Sequence, residues 1–238
     1  MIDFHTHVLP GIDDGSRSTD MTLEMLREER RQGVTEVVCT PHFYSSRNSV
    51  DAFLEHREVS LSHVKARLDE LNGHAPQLWI GAEVYYFPGM SEAVRLPELC
   101  IQGTKVLLLE MPFSQWDERV YREVKAIISE RRLSVVLAHV ERYHGFQKKK
   151  QIWENVLNLP LTVQLNAGSF QKGLMRRRFC IDMLRARPNS IIGSDCHNLT
   201  DRPPNIAGAR EVIAKKLGDE ALAAVDRTAA KILQVCII

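Results

Sequence analysis

The chain reads Val106-Leu107-Leu108-Leu109-Glu110 near its middle, so that four consecutive apolar residues run directly into a carboxylate. A strand that is apolar at every position, rather than at alternate positions, is typical of a parallel sheet covered by helices on both faces. The carboxylate then stands at the carboxyl end of its strand. That end is where parallel α/β folds carry their active sites.

Six other runs of strand length follow the same nearly continuous apolar pattern, and segments of helical periodicity separate them. These predicted strands are Met1–Phe4, Glu36–Thr40, Leu78–Gly81, Ser134–Ala138, Thr162–Leu165 and Ser190–Gly193. The predicted helices are Ser18–Gln32, Val50–Leu71, Glu118–Arg132, Gln151–Leu157, Leu174–Arg187, Ala207–Leu217 and Glu220–Val235. The segment Pro88–Gln102 is broken by prolines and a glycine and is expected to be only partly helical.

Strand and helix alternate along the whole chain without a linker, an internal repeat or a low-complexity tract. This order predicts a single α/β domain that spans residues 1–238. Seven strands favour a (β/α)7 barrel of TIM type. A doubly wound open sheet gives the same pattern along the chain, so the sequence leaves that alternative open.

Composition and charge exclude several other classes of protein. The 238 residues are 44% apolar and 26% charged, with a net charge of +1, which argues against an extended nucleic-acid surface or a polybasic membrane anchor. The five cysteines form no C-x-x-C pair, so we expect no disulfide framework. We find neither a leader-like start nor an apolar run long enough to insert into a membrane, and therefore expect a cytoplasmic protein. The oligomeric state stays open.

A side chain able to bind a metal follows nearly every predicted strand. These candidates are His5, His7, His42, Glu83, Glu110, His139, Asp195 and His197. Because the carboxyl ends of parallel strands meet at one edge, we expect these side chains to gather there. A carboxylate that ends an apolar strand is poorly hydrated, and a buried carboxylate needs a partner such as a cation.

The number and type of these candidates predict more than one metal ion. The set exceeds what one ion needs, which indicates a cluster of two or three divalent ions. Imidazole and carboxylate ligands without a thiolate requirement suit Mn²⁺, Fe²⁺, Zn²⁺ or Co²⁺ better than Mg²⁺ or Ca²⁺ alone, and we expect Mn²⁺.

Alternation along an extended backbone predicts which neighbours converge. His5 and His7 stand two residues apart and point to the same side, and the same holds for Asp195 and His197, with Cys196 facing away. The triplet Asp13-Asp14-Gly15 is first of all a turn signal.

Taken together, these motifs resemble the polymerase and histidinol phosphatase (PHP) superfamily, and within it the bacterial manganese-dependent protein-tyrosine phosphatases of the CpsB, CapC and YwqE kind. The resemblance covers the whole chain. It rests on Met1 to His7 (MIDFHTH), Gly11 to Gly15 (GIDDG), Thr40-Pro41-His42, Gly81-Ala82-Glu83, Leu109-Glu110, Ala138 to Arg142 (AHVER) and Ser194 to His197 (SDCH) followed by Arg202.

The resemblance implies a distorted barrel of the PHP type with a trinuclear metal centre. It places one ion at His5, His7 and Asp195, a second at His42 and His139, and a third at Asp14, Glu83 and His197, with Glu110 as a bridge. It implies that Arg142 and Arg202 bind the substrate phosphate, a role for which the forked guanidinium is suited. The substrate that it implies is protein phosphotyrosine, on a tyrosine autokinase that controls capsule or exopolysaccharide export.

Three segments are not explained by the resemblance: one is aromatic, and two carry positive charge without an assigned role. Val84-Tyr85-Tyr86-Phe87-Pro88 is more aromatic than we expect for the family. Its rings either stack on a phosphotyrosine ring or belong to the core. The basic runs Lys148–Lys150 and Arg176–Arg178 either attract an acidic phosphorylated tail or are solvated helix faces, and the second interpretation is the default.

Several alternative functions stay open. Cys196 and Arg202 have the C-x5-R spacing of thiol-based tyrosine phosphatases, but the intervening residues contain no glycine and include Asp201, so we treat the match as a coincidence. Within the superfamily, a histidinol-phosphate phosphatase or another phosphoesterase remains. From another class comes a non-catalytic metal-binding regulator of a kinase.

Overall fold

Nine parallel strands form the centre of the protein. The computed structural model describes residues 1–234; Val235, predicted to end the last helix, lies outside that range. The strands are β1 (Ile2–Thr6), β2 (Glu36–Cys39), β3 (His42–Phe43), β4 (Gln77–Ile80), β5 (Glu83–Tyr85), β6 (Val106–Glu110), β7 (Ser134–Leu137), β8 (Thr162–Asn166) and β9 (Ser190–Gly193). They hydrogen-bond in the orders β1-β2-β4 and β3-β5-β6-β7-β8-β9, and every pair is parallel.

Two of the seven predicted strands continue after a short break. The chain leaves β2 and, after Thr40 and Pro41, enters β3, and it leaves β4 and, after Gly81 and Ala82, enters β5. Proline lacks the N–H that a continuous ladder needs, which accounts for the first break. The two breaks divide the strands into two sheets and distort the barrel.

The segment after β9 closes the ring against β1. A parallel bridge joins Thr6 to Cys196. The N–H of His7 donates to the carbonyl of Cys196 at 2.9 Å, and the N–H of Asp195 donates to the carbonyl of His5 at 2.8 Å. The predicted seven-strand α/β barrel is therefore confirmed, and the open sheet is excluded.

The helices surround the strands. They are α1 (Thr19–Arg31), α2 (Val50–Lys65), α3 (Glu118–Ser129), α4 (Lys150–Leu157), α5 (Ala167–Gln171), α6 (Leu174–Ala186), α7 (Ile206–Leu217) and α8 (Asp219–Gln234), with single 3₁₀ turns at Leu68–Leu71, Met90–Glu92, Leu96–Leu99, Val140–Arg142 and His144–Phe146. All seven predicted helices are present, and the predicted partly helical segment contains two of the turns. No helix within residues 1–234 is long and apolar enough to cross a lipid bilayer.

Two helical segments differ from the prediction. The second predicted helix ends early at Lys65 and resumes as a 3₁₀ turn, where Arg67 bonds to both Asp20 and Glu70 and Asn72 takes a left-handed conformation with φ 50°. The short helix α5 was not predicted, because five residues are too few for a helical period to show.

The apolar strands are buried on both sides. Leu107 and Leu109 of β6 pack in the large cluster between sheet and helices, whereas Val106 and Leu108 pack in a smaller one inside the barrel. Leu233 of α8 also belongs to the smaller cluster. The barrel is thus filled by side chains toward the amino ends of its strands, and its polar residues collect at the opposite end.

Candidate metal centre

The structure brings all nine predicted metal ligands together at one end of the barrel. Seven of them are buried, namely His5, His7, Glu83, Glu110, His139, Asp195 and His197. His42 is partly buried, and the Asp14 side chain is 67% exposed. The ligands therefore form a buried cluster with one carboxylate at its solvent edge.

Glu83, at the start of β5, lies at the centre of the cluster. Its Oε2 is 3.2 Å from His5 Nε2, 3.3 Å from His7 Nε2 and 2.9 Å from His42 Nδ1. Its Oε1 is 2.8 Å from His139 Nε2. One carboxylate thus faces four imidazoles that come from three different parts of the chain.

Asp195, directly after β9, faces the same two histidines of β1. Its Oδ1 lies 3.4 Å from His7 Nε2 and 3.7 Å from His5 Nε2. The Nδ2 of Asn166 donates to Oδ2 at 2.7 Å, and Arg202 Nη2 donates to Oδ1 at 2.7 Å. The two histidines, whose Nε2 atoms are 3.1 Å apart, converge as their spacing predicts.

The remaining ligands extend the cluster on both sides. Asp14 Oδ1 lies 3.5 Å from His42 Nε2 and 3.4 Å from His197 Nε2. Glu110 Oε1 lies 3.6 Å from His139 Nε2, and Glu110 Oε2 lies 3.8 Å from His42 Nδ1. Three groups whose ligand atoms lie within 4.8 Å of one another result, namely His7, Asp14, His42 and His197; His5, His7 and Glu83; and His42, Glu83 and Glu110.

These groups share His7, His42 and Glu83, and they differ from the division among ions that the resemblance implies. Asp14 and His197 pair with His42 rather than with Glu83. Because residues are shared between them, the three groups lie side by side in one cluster.

The polar atoms of the cluster fit cations better than they fit one another. Within residues 1–234, His42 Nδ1, Glu83 Oε2, Glu110 Oε2 and His197 Nε2 are buried without a hydrogen-bond partner. His42 Nδ1 and Glu83 Oε2 are 2.9 Å apart, yet their angles do not make a hydrogen bond. Buried polar atoms without partners are costly, and a divalent cation bound between them removes that cost. Imidazole nitrogen and carboxylate oxygen together suit borderline divalent metals.

The electrostatics of the cluster also call for positive charge. Burial and, to a smaller extent, the neighbouring Glu83 carboxylate raise the pKa of Glu110 to about 8. Burial and the nearby His7 lower the pKa of His197 to about 3, so that imidazole is neutral and free to act as a ligand. Positive charge placed beside Glu83 and Glu110 would favour the ionised form of both carboxylates.

Asp13 holds two of the histidines in place, although the sequence marks it only as a turn residue. Its Oδ2 lies 2.7 Å from His7 Nδ1 and accepts the backbone N–H of His42 at 2.9 Å. A carboxylate on the far nitrogen of a metal-binding imidazole fixes the orientation of the ring. Sequence reasoning missed this role because a turn explains Asp13 equally well.

Gln164 and Asp3 support the cluster from the strands below it. Gln164 Oε1 lies 3.0 Å from His5 Nδ1 and accepts the N–H of His139 at 2.7 Å. Asp3 Oδ1 accepts the N–H of Ser194 at 2.8 Å and of His5 at 3.2 Å. Sequence reasoning missed both, and the signal was a polar residue inside an otherwise apolar strand.

Two of the ligands have a strained backbone. His139 has φ 29° and Asp195 has φ 55°, which is the left-handed region that side chains other than glycine rarely adopt. Such strain persists where surrounding contacts over-determine the conformation, and it concentrates at functional sites.

The two predicted phosphate-binding arginines lie at the edge of the cluster. Arg202 Nη2 lies 2.7 Å from Asp195 Oδ1, and Arg142 Nη1 lies 3.6 Å from Asp195 Oδ2. The guanidinium of Arg142 rests 4.7 Å above the ring of Phe113. Each side chain is 38% exposed, so each keeps N–H groups for an incoming anion.

Aromatic rings line the mouth of the cluster. The Tyr44 ring lies 5.2 Å from the ring of His42 and 5.5 Å from that of Tyr85, which is partly exposed. On the other side, Phe113 lies 6.0 Å from His139. Tyr86 is buried and Phe87 packs against the core, so Tyr85 alone of the predicted aromatic segment reaches the mouth. Tyr44 and Phe113 had no signal in the sequence.

Cys196 points away from the cluster, as alternation predicts. It is fully buried, and its Sγ lies 3.7 Å from Glu29 Oε1. Burial and the Glu29 carboxylate hold the pKa of this thiol well above its ordinary value. A buried, protonated thiol is not a nucleophile, which excludes the thiol-phosphatase interpretation.

Comparison with known proteins identifies the family of this chain. The profile of the family described as capsular polysaccharide synthesis, CpsB/CapC, matches residues 1–234. The chain belongs to the CpsB/CapC family. A related protein, the tyrosine-protein phosphatase CpsB of Streptococcus pneumoniae, is 27% identical over 233 residues, which cover 92% of this chain and 91% of that protein. The tyrosine-protein phosphatase YwqE of Bacillus subtilis is 25% identical over 234 residues, with coverage of 92% and 86%.

Solved structures agree on the fold. A crystal structure from the work on YwqE of Bacillus subtilis and CpsB of Streptococcus pneumoniae, described as metal-dependent tyrosine phosphatases, matches with a TM-score of 0.86 and 23% identity over 100% of this chain and 96% of that one. An organophosphorus hydrolase matches with a TM-score of 0.54 and 13% identity over 97% of this chain and 92% of that one. These likenesses establish the distorted barrel of the CpsB/CapC family.

Proposed function

We propose that this protein is a metal-dependent phosphatase that hydrolyses phosphotyrosine on proteins. The observation that carries the proposal is the position of Arg142 and Arg202 beside a buried cluster of imidazoles and carboxylates. An anion held by the two guanidinium groups lies next to whatever cations the cluster binds. Membership of the CpsB/CapC family and the tyrosine-protein phosphatase names of its relatives support the same function.

The proposed metal ligands are His5, His7, Asp14, His42, Glu83, Glu110, His139, Asp195 and His197. Two or three divalent ions bound there would lower the pKa of a water molecule toward neutrality and so supply a nucleophile. We propose Mn²⁺, with Fe²⁺, Zn²⁺ and Co²⁺ as the ions to compare, since the donor set mixes nitrogen and oxygen. Asp13 and Gln164 keep the imidazoles oriented through their far nitrogens.

The arginines bind and orient the phosphate. Arg202 is held by its hydrogen bond to Asp195, and Arg142 is held against the face of Phe113, so both forks are ordered before the substrate arrives. Their positive charge offsets the charge on the phosphate oxygens and on the departing oxygen.

The aromatic mouth favours an aryl phosphate as substrate. Tyr44 and Tyr85 on one side, and Phe113 on the other, present ring faces or edges to a phenyl ring that enters between them. A tyrosine leaving group has a pKa of about 10, so it departs with less help from an acid than an aliphatic alcohol needs. The proposed partner is a bacterial tyrosine autokinase of capsule or exopolysaccharide synthesis, acting in the cytoplasm.

The test compares substrates on protein purified without a chelator. We expect bound metal by elemental analysis and Mn²⁺-stimulated release of phosphate from a phosphotyrosine peptide. Much slower turnover is expected for histidinol phosphate and for a phosphodiester. Arg142→Lys and Arg202→Lys should each lower kcat/KM about 10- to 100-fold, because lysine loses the bidentate contact. A metal-loaded protein that turns over none of these compounds would instead be a binding protein.

A further inference from the structure

The site of the arginines continues into a basic groove. A cavity of about 320 Å³ extends from Arg142 and Arg202 to Lys172 and Arg176, past Asn166 and other small or polar residues. Its acidic residues are Asp195, which is already paired with Arg202, and the exposed Asp201. The groove is therefore positively charged beyond the point where the phosphate would bind.

The basic residues near the start of α6 divide into two kinds. Arg177 has a structural role, because its Nε donates to the carbonyl of Phe170 at 2.7 Å. Arg178 lies 3.6 Å from Asp182 on the next turn of the same helix. In contrast, Lys172 and Arg176 are exposed, and their side chains have neither a hydrogen-bond nor an ion-pair partner within residues 1–234.

The residues at the amino end of α6 do not favour helix formation. Cations near a helix amino end are opposed by the helix dipole, and α6 also has no side chain that caps its first turn. Leu174 and Met175, the first two residues of α6, have 81% and 89% of their surface exposed. Residues that act against their own element are expected where the surface contacts a partner.

We propose that Lys172 and Arg176 form a specificity site that binds an acidic side chain beside the phosphotyrosine of a protein substrate. The inference rests on the proposed phosphatase function and adds to it the chemistry of the flanking sequence. The phosphate occupies the arginine end of the groove, and the chain of the substrate carries an aspartate or glutamate toward Lys172 and Arg176. Charge complementarity, with the cavity continuous between the two ends, supports this occupant.

The experiment uses two phosphotyrosine peptides on the metal-loaded full chain. One has aspartate and glutamate on both sides of the phosphotyrosine, and the other has asparagine and glutamine at the same positions. The wild-type protein should prefer the acidic peptide about 5-fold in kcat/KM, and 0.5 M salt should weaken that preference. The combined variant Lys172→Ala, Arg176→Ala should reduce the preference below about 2-fold, and Arg176→Glu should reverse it.

Two controls separate this site from the reaction itself. Turnover of p-nitrophenyl phosphate should be unchanged in the Lys172→Ala, Arg176→Ala double variant and in Arg176→Glu, because this small substrate does not reach Lys172 or Arg176. Arg178→Ala, in the same basic run but outside the groove, should keep the wild-type preference. Equal turnover of the two peptides by the wild type, or a preference that survives the double variant, would overturn the inference.

A failure of the proposed function gives a different result. In that case neither peptide nor p-nitrophenyl phosphate is turned over. Fluorescence anisotropy of the labelled peptides then tests the acidic-residue site independently of turnover. Tighter binding of the acidic peptide that is lost in the Lys172→Ala, Arg176→Ala variant supports the site. Equal binding of the two peptides refutes it.

Discussion

At the scale of single residues, neighbours in the segment just after β9 have opposite roles. Asp195 and His197 face the cluster, while Cys196 between them points to Glu29 on the other side. The local backbone sets these directions, because Asp195 is left-handed with φ 55° and Cys196 is fixed by its parallel bridge to Thr6. A single-residue shift of this segment would place the thiol among the imidazoles and bury the two ligands in the core.

Cys196→Ser tests that assignment. We expect kcat/KM on a phosphotyrosine peptide to stay within about 3-fold of the wild type, because a hydroxyl keeps the donor toward Glu29 and the thiol takes no part in the reaction. The neighbouring variant Asp195→Asn is the matched control, and it should lose about 100-fold or more through a lost charge at the cluster. An inactive Cys196→Ser protein that is still folded and still binds metal would contradict the metal-based mechanism.

At the scale of elements, the approach of β9 to β1 sets the position of a ligand. Gly193 ends β9, and a Cβ added there would lie 2.6 Å from the Cβ of His5 and 2.9 Å from its backbone nitrogen. Real side chains do not tolerate such distances. The absence of a side chain at this one position lets the two strands come close enough for Asp195 to face the histidines of β1.

Gly193→Ala should therefore push the two strands apart. We expect the free energy of unfolding in urea to fall by about 1 to 3 kcal/mol and the bound metal content to fall with it, since His5 must move. Gly145→Ala is the control, because an added Cβ there meets no atom within 4 Å. Its stability should change by less than about 1 kcal/mol. Equal behaviour of the two variants would show that the strands adjust without strain.

At the scale of the whole molecule, the cluster joins distant parts of the chain. Its predicted ligands come from β1 and the loop after it, the segments around β3 and β5, the end of β6, and the loops after β7 and β9. The cluster leaves His42 Nδ1, Glu83 Oε2, Glu110 Oε2 and His197 Nε2 buried without a hydrogen-bond partner, and cations bound between them would remove that cost. Metal binding at the cluster would therefore be coupled to folding, because the unfolded chain does not hold these side chains together.

Removal of metal should accordingly destabilise the entire domain. A ligand present at 100 times its Kd stabilises the folded state by about 2.7 kcal/mol, which corresponds to a Tm change of about 5 to 10 °C in a domain of this size. We expect a chelator to lower Tm by that amount and to abolish activity, and Mn²⁺ to restore both in calorimetry and in the peptide assay. Mg²⁺ at the same concentration is the control ion. An unchanged Tm after complete chelation would show that the ions contribute nothing to folding.

Much of the fold and the site follows from local pattern alone. Continuous apolar runs such as Val106–Leu109 predict strands buried on both faces, and all seven are present. A residue at the carboxyl end of a strand, such as Glu110, necessarily lies at the common edge of a parallel sheet. Every predicted ligand and both arginines meet there, although binding of metal and phosphate by these residues stays a prediction.

Features of the site that depend on contacts between remote segments are visible only in the tertiary structure. The roles of Asp13 and Gln164, the grouping of Asp14 with His42, and the aromatic mouth at Tyr44 and Phe113 result from distances across the barrel. Such distances are set by how strands twist, break and close, which involves all elements at once. Periodicity reports only which face of its own element a residue occupies, because that is a local property of the backbone.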